Sequence, residues 1–193
     1  MLNPIAFPVY GENEIIAFLT RRSGLLGGVC ISGGEPLLQE DIIDFAALIK
    51  SAGFKIKLDT NGTCPHVLSA LVKRDLLDYV AVDIKAPWEK YNRLAGVEVD
   101  YEAVKGTVAL LRESGMDHEF RTTFVPGLLD KMDLIVIARE LSGCYRYVIQ
   151  NFNTNASLLD PNLSCTDVPA RGDMEETAHF CRAYVNVVEL RGF

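Results

Sequence analysis

Four short segments of this 193-residue chain put polar residues and glycines where apolar runs stop. Ser32-Gly33-Gly34-Glu35-Pro36 closes the run that begins at Gly28. Its two glycines would let a ligand approach bare backbone, and the next residue offers a carboxylate. A lone Gly-Gly pair reads equally well as a tight strand–helix turn. Asp59-Thr60-Asn61-Gly62 follows the second run. Asn-Gly is a hairpin signal, but Thr63-Cys64-Pro65 opens a helix, which leaves Asp59 at the strand end as a ligand acid or a helix cap. In Asp83-Ile84-Lys85-Ala86-Pro87 the acid and the lysine point to the same side, as a site or as a modest ion pair. Arg121 and Thr123 share a face in Arg121-Thr122-Thr123-Phe124-Val125-Pro126-Gly127, and an arginine inside a barrel needs an anionic partner. Acids, a lysine, an arginine and exposed backbone together suit a zwitterion bearing both an ammonium and a carboxylate.

The elements that must position these segments alternate. Gly28–Ser32, Phe54–Leu58, Tyr79–Ile84, His118–Val125, Tyr145–Gln150 and Val185–Leu190 read as short apolar strands. Between them helix-period stretches run over Gln39–Ser51, Pro65–Arg74, Trp88–Leu94, Tyr101–Ser114 and Met132–Leu141, with Gly53 and Gly115 as stops. Asp160–Gly172, with two prolines, reads as a loop. Asp173-Met174-Glu175-Glu176 reads as a capping box opening a helix to about Ala183. Alternating strands and helices imply right-handed parallel crossovers. No Gly-x-Gly-x-x-Gly follows a strand, which weakens the dinucleotide-binding open sheet. The polar segments sit at successive strand C-termini, the face on which barrels keep their sites. An incomplete barrel is the expected architecture, with residues 1–193 as one domain.

The net charge of −7 argues against a broad nucleic-acid surface. No apolar run reaches the ~18 residues of a membrane span, and the N-terminus does not read as a signal peptide, so the chain is expected to be cytoplasmic. Cys30, Cys64, Cys144, Cys165 and Cys181 are scattered, with none within four residues of another. They form no disulfide framework and match no short-spaced zinc or ferredoxin pattern. His66, His118 and His179 share no strand-end register and read as structural.

Gly-Gly-Glu-Pro, Leu-Asp-Thr-Asn-Gly, Asp-Ile-Lys-Ala-Pro and Arg-Thr-Thr-x-Val-Pro-Gly, in this order and spacing, resemble the radical S-adenosylmethionine (SAM) superfamily. The chain is most similar there to the activating proteins of anaerobic ribonucleoside-triphosphate reductase and pyruvate formate-lyase, from about Asn3 through Val188-Glu189-Leu190-Arg191-Gly192. The resemblance implies an incomplete (β/α) barrel of parallel strands and SAM as cofactor. Gly33, Gly34 and Glu35 match the segment that binds the amino group of SAM's methionine, and Asp59 matches an acid on that group. Lys85 matches a lysine reaching the methionine carboxylate, and Arg121 and Thr123 match residues lining the pocket. Asp59, Thr60, Ala81 (by its carbonyl) and Asp83 match a monovalent-cation site found in some activases. In the family a [4Fe–4S] cluster donates an electron to the sulfonium, and the resulting 5′-deoxyadenosyl radical takes a hydrogen from a glycine of a glycyl-radical enzyme. An electron donor such as flavodoxin or ferredoxin is implied as a second partner.

Two departures stand out. The family's Cys-x-x-x-Cys-x-x-Cys loop has no counterpart here, and Met1-Leu2-Asn3-Pro4 aligns just past it. The expectation is an N-terminally truncated chain without its first βα unit, inactive by itself, whose cluster belongs to the full-length form only. The strand Val29–Ile31 is then an open edge, for which a homodimer or concentration-dependent association is expected. Asn153 stands where related activases often carry a longer basic side chain or a histidine against the adenosine. Two further readings are a small radical SAM enzyme of the 7-carboxy-7-deazaguanine synthase type and a cluster-free SAM-binding or docking protein.

Overall fold

The computed structural model describes residues 9–95, 98–152 and 169–193. Its elements run α1 (Glu12–Thr20), β1 (Gly28–Ile31), α2 (Ile42–Ser51), β2 (Lys55–Thr60), α3 (Pro65–Lys73), β3 (Tyr79–Asp83), α4 (Tyr91–Ala95), α5 (Tyr101–Ser114), β4 (His118–Phe124), α6 (Lys131–Glu140), β5 (Arg146–Asn151), α7 (Arg171–Cys181) and β6 (Val187–Arg191). All neighbouring strands are parallel and lie in sequence order, β1-β2-β3-β4-β5-β6. An order that never reverses, with right-handed crossovers, keeps the connecting helices on one face, as in a barrel and unlike a doubly wound sheet. β1 and β6 do not pair with each other, so the barrel is incomplete.

The strands alternate between a helix-facing side and an inner side, as pleating requires. Ile56 and Leu58, Val80 and Val82, Phe120 and Phe124, Tyr147 and Ile149, and Val188 and Leu190 pack with the helices in one hydrophobic cluster. The inner side is largely polar, with Lys57 and Asp59 on β2, Tyr79 and Asp83 on β3, Glu119 and Arg121 on β4, and Glu189 and Arg191 on β6. Ala81 and Val148 are its fully buried apolar members, and neither joins the main cluster.

Local signals account for most element ends. Pro65 begins α3 at a position where its missing N–H costs nothing. Gly115 ends α5 at φ +70°, a left-handed cap that a side chain would resist. The structure corrects several boundaries. α1 was not anticipated from the sequence. β2 extends two residues beyond Leu58 and takes in Asp59 and Thr60. α2 begins at Ile42 rather than Gln39. α7 begins at Arg171 behind Ala170, without a side-chain cap, so the helix opens ahead of the proposed capping box at Asp173 and takes in Arg171 and Gly172. The remainder of the expected loop over Asp160–Gly172 lies almost entirely outside the described residues. Among the described residues no helix is long and apolar enough to cross a membrane.

Candidate functional site

The strand C-termini bring Asp59, Asp83 and Arg121 into direct contact. Asp83 and Arg121 are register partners on β3 and β4, and Arg121 Nε donates to Asp83 Oδ1 at 2.8 Å. Arg121 Nη1 reaches past β3 to Asp59 Oδ2 at 3.0 Å. The β3 residue paired with Asp59 is Ala81, whose methyl leaves room for the guanidinium to cross. Lys57, two residues before Asp59 on the same face, donates to its other oxygen, Oδ1. Burial alone would raise the Asp59 carboxyl, but the hydrogen bonds from Lys57 and Arg121 outweigh it and hold the group below the ordinary aspartate value. Charge-assisted contacts of this kind are among the stronger ones in proteins.

Lys85 and Thr123 are exposed and line a recess of about 260 Å³ with Asp83, Arg121, Leu94 and Val125. The backbone at Lys85 is fixed from behind. Its N–H donates to the buried Tyr91 hydroxyl at 3.4 Å, which in turn donates to the Asp83 carbonyl at 3.4 Å. Thr122 Oγ1 donates to the Ile84 carbonyl at 2.7 Å. These contacts tie the loop's backbone down, while the lysine side chain stands exposed at the recess. Leu128 and Leu129 complete the recess, and the motif reading did not single them out.

Gly33, Gly34 and Glu35 line a separate cavity of about 410 Å³, between the end of β1 and the helices α1 and α2. Gly33 lies at φ +119°, and a Cβ on it or on Gly34 would meet nothing within 4 Å. That open backbone suits a ligand. Glu35 is held differently from the glycines. Its carboxylate accepts from Leu37 N–H at 3.1 Å, Thr60 Oγ1 at 2.7 Å and Asn61 N–H at 2.7 Å. The residues expected to meet one ligand thus fall into two neighbouring groups, joined by the end of β2. Asn153 lies outside the described residues.

Of the residues matched to a cation site, Asp59 and Asp83 share Arg121 as counter-charge, while the Thr60 hydroxyl is committed to Glu35. Among the described residues no group of three or more His, Cys, Asp or Glu side chains comes together to hold a metal ion. Cys64, Cys144 and Cys181 are buried, and Cys30 is exposed on the inner face of the edge strand. His66 and His179 are exposed on helices, and His118 sits at the start of β4, away from the strand C-termini.

Deeper on the inner face lies a second charged tier that the motifs did not reveal. Glu119 is almost fully buried, and Arg191 meets it with two hydrogen bonds, Nη1–Oε1 at 3.2 Å and Nη2–Oε2 at 3.1 Å. Tyr79 Oη donates to Glu119 at 3.2 Å, and Arg191 Nε donates to Glu189 at 3.1 Å. The partners are up to 72 residues apart in the chain, so no local spacing points to them.

A six-stranded open parallel barrel with its acids, arginine, lysine and bare glycine backbone at the strand C-termini is the geometry of a known class. Residues 11–136 match the radical SAM superfamily, and the chain belongs to it. A Methanocaldococcus jannaschii protein provisionally named a glycyl-radical enzyme activating enzyme is 35% identical over 168 residues, covering 84% of this chain and 70% of that protein. A pyruvate formate-lyase-activating enzyme of Listeria monocytogenes is 42% identical over 65 residues, covering 31% of this chain and 26% of that one. Among solved structures, a domain of a pyruvate-formate lyase-activating enzyme from Bacteroides vulgatus superposes with a TM-score of 0.66 at 17% identity, covering 86% of this chain and all of that one. That likeness is one of fold.

Proposed function

We propose that this chain is the SAM-binding barrel of a glycyl-radical enzyme activase. The observation that carries the reading is the Asp59–Arg121–Asp83 bridge beside Lys85, at the strand ends of a radical SAM barrel. An acid flanked by cations on one side and a free lysine on the other matches the two charges of an amino-acid zwitterion. In this reading Asp59 takes the methionine ammonium and Lys85 the carboxylate. Arg121 and Thr123 line the pocket, and the Gly33-Gly34 backbone admits the ligand from the side. When bound, SAM supplies the radical chemistry of the superfamily, and this chain's residues orient it. The partner in this reading is a glycyl-radical enzyme, served by a small electron-transfer protein. Similarity to activating enzymes along most of the chain favours it over a small-molecule radical SAM enzyme.

Calorimetric titration of SAM into the chain tests the binding step. Asp59→Asn and Lys85→Met should each weaken it about ten- to a hundredfold, the worth of one charge-assisted hydrogen bond. Unchanged affinity in both variants overturns the assignment. The activase step is tested on a form of the chain carrying the family's Cys-x-x-x-Cys-x-x-Cys loop ahead of it, reconstituted anaerobically with iron and sulfide and incubated with SAM, a reductant and a glycyl-radical enzyme from the same organism; a glycyl-radical paramagnetic resonance signal is expected, and its absence overturns the activase reading.

A further inference from the structure

Glu35 is the one acid of the glycine-rich segment, and the resemblance assigns it to a ligand's amino group. Its bonding points elsewhere. A carboxylate offers about four lone-pair sites, and three already receive donors from this chain: Leu37 N–H, Thr60 Oγ1 and Asn61 N–H. Two of these donor residues are themselves committed elsewhere. Thr60 spends its only hydroxyl proton on Glu35 while its oxygen accepts from Gly62 N–H at 3.1 Å. Asn61 Oδ1 accepts from Thr63 N–H at 2.9 Å and from Thr63 Oγ1 at 2.7 Å. A continuous network therefore runs from the loop after β1 to the turn that opens α3.

The adjoining glycines have no such anchorage. Neither Gly33 nor Gly34 would bring a Cβ within 4 Å of any neighbour, so this backbone stands open on the side where a side chain would project. Beyond them the buried Leu37 seats in the core, and the Glu35 clasp is the hydrogen-bonded tie from this segment to the end of β2, one residue from Asp59. We infer that Glu35 is a positioning residue that joins the two mouth loops and acts on a ligand only through them. Discrimination for an ammonium then belongs to Asp59. This rests on the SAM reading for the identity of the ligand; the clasp itself does not.

The experiment uses Glu35→Gln, Thr60→Val and the double variant. A glutamine keeps one accepting oxygen but cannot receive the Asn61 N–H, so amide exchange at Asn61 should quicken at least tenfold in the ligand-free chain. The probes for binding are S-adenosylhomocysteine and its desamino analogue, which lacks only the ammonium. As a positioning residue, Glu35→Gln weakens both by a similar three- to tenfold, Thr60→Val reproduces the loss, and the double variant is little worse than either single one. Asp59→Asn, in contrast, should weaken only the amine-bearing probe. A Glu35→Gln loss confined to the amine-bearing probe, or single effects that simply add, overturns the inference. If the unsubstituted chain binds neither probe, the SAM reading fails, and unchanged exchange at Asn61 in Glu35→Gln would by itself overturn the clasp. Should Glu35→Gln fold poorly, Thr60→Val gives the same reading from the other side of the contact.

Discussion

Arg121 on β4 holds Asp59 on β2 across the strand that separates them, with Nη1 to Oδ2 at 3.0 Å, while its Nε holds Asp83 at 2.8 Å. One cation thus bridges two carboxylates of the mouth, and Lys57 adds a second charge at Asp59. The partly buried guanidinium would be costly without them, and they would repel each other without it.

Removing the cation should therefore cost more than removing one acid. Arg121→Leu leaves Asp59 and Asp83 facing each other and is expected to destabilise the chain by about 2 kcal/mol, below the usual range for a buried pair because Asp83 is half exposed. Asp59→Asn leaves Arg121 paired with Asp83 and should cost about 1 kcal/mol or less. Urea denaturation at neutral pH measures both, and equal losses would contradict the bridge.

The second tier gives a sharper case. Arg191→Leu strands a buried Glu119 with Tyr79 as its remaining hydrogen-bond donor, an expected loss of about 3 kcal/mol. Replacing Glu119 by leucine in the same chain should recover part of that loss, since the unpaired charge disappears. Burial raises the Glu119 carboxyl, but Arg191 outweighs it and leaves the group below the ordinary glutamate value. Its contribution to stability is then complete above the unfolded value and lost as pH falls through the lower folded one. The acid limb of a pH–stability curve should flatten in the double variant.

Glu140 works in the opposite direction. Burial lifts its carboxyl from 4.5 to about 7, against the Trp88 N–H that it accepts and the nearby Arg139 and Lys105, with Glu89 adding to the rise. A raised value means that the stability it lends is full below the unfolded value near 4.5 and is lost as pH rises toward 7. Glu140→Gln should therefore stabilise the chain at pH 8, by about 1–2 kcal/mol once screening at a partly exposed site is allowed, and change little at pH 4. Thermal melts across pH 4–8 read this directly, and a constant difference between the two proteins would refute it.

Among the described residues β1 pairs with β2 on one side only, and Leu25, 83% exposed, precedes it on the surface. Such an edge recruits further strands. Light scattering should show mass rising with concentration, and substituting Val29 by lysine should suppress it. A constant monomer mass over a hundredfold dilution series would show the edge to be inert.

The strand–helix alternation and the four strand-end segments were legible because each is a local pattern: an apolar run, then glycine or an acid, then a helical period. Arg121 was legible too, since an arginine on an inner face demands partners, and Asp59 and Asp83 supply them. The first helix was not. Its cap is Gly11, which offers no side-chain acceptor, and Phe18 on its surface is 45% exposed, so neither a start signal nor a clean apolar stripe announces it. Asp130 with Asp133 caps α6 by the same local pattern that Asp173-Met174-Glu175-Glu176 only mimics, since α7 already opens at Arg171. The Glu35 clasp and the Glu119–Arg191 pair were out of reach for another reason. Their partners lie 25 to 72 residues away, and only the register of the sheet brings them together.

A sheet with oil on one side and ionic cross-ties on the other should give ligand binding an unusual thermodynamic profile. A charged guest entering the concave side exchanges one set of charge partners for another and displaces little hydrocarbon-bound water. The heat-capacity change of binding should then be small. Affinity should fall as salt is added, because the contacts lie where counter-ions can compete. The trough would take its guest by swapping partners, and the same salt would ease the ties that hold it curved.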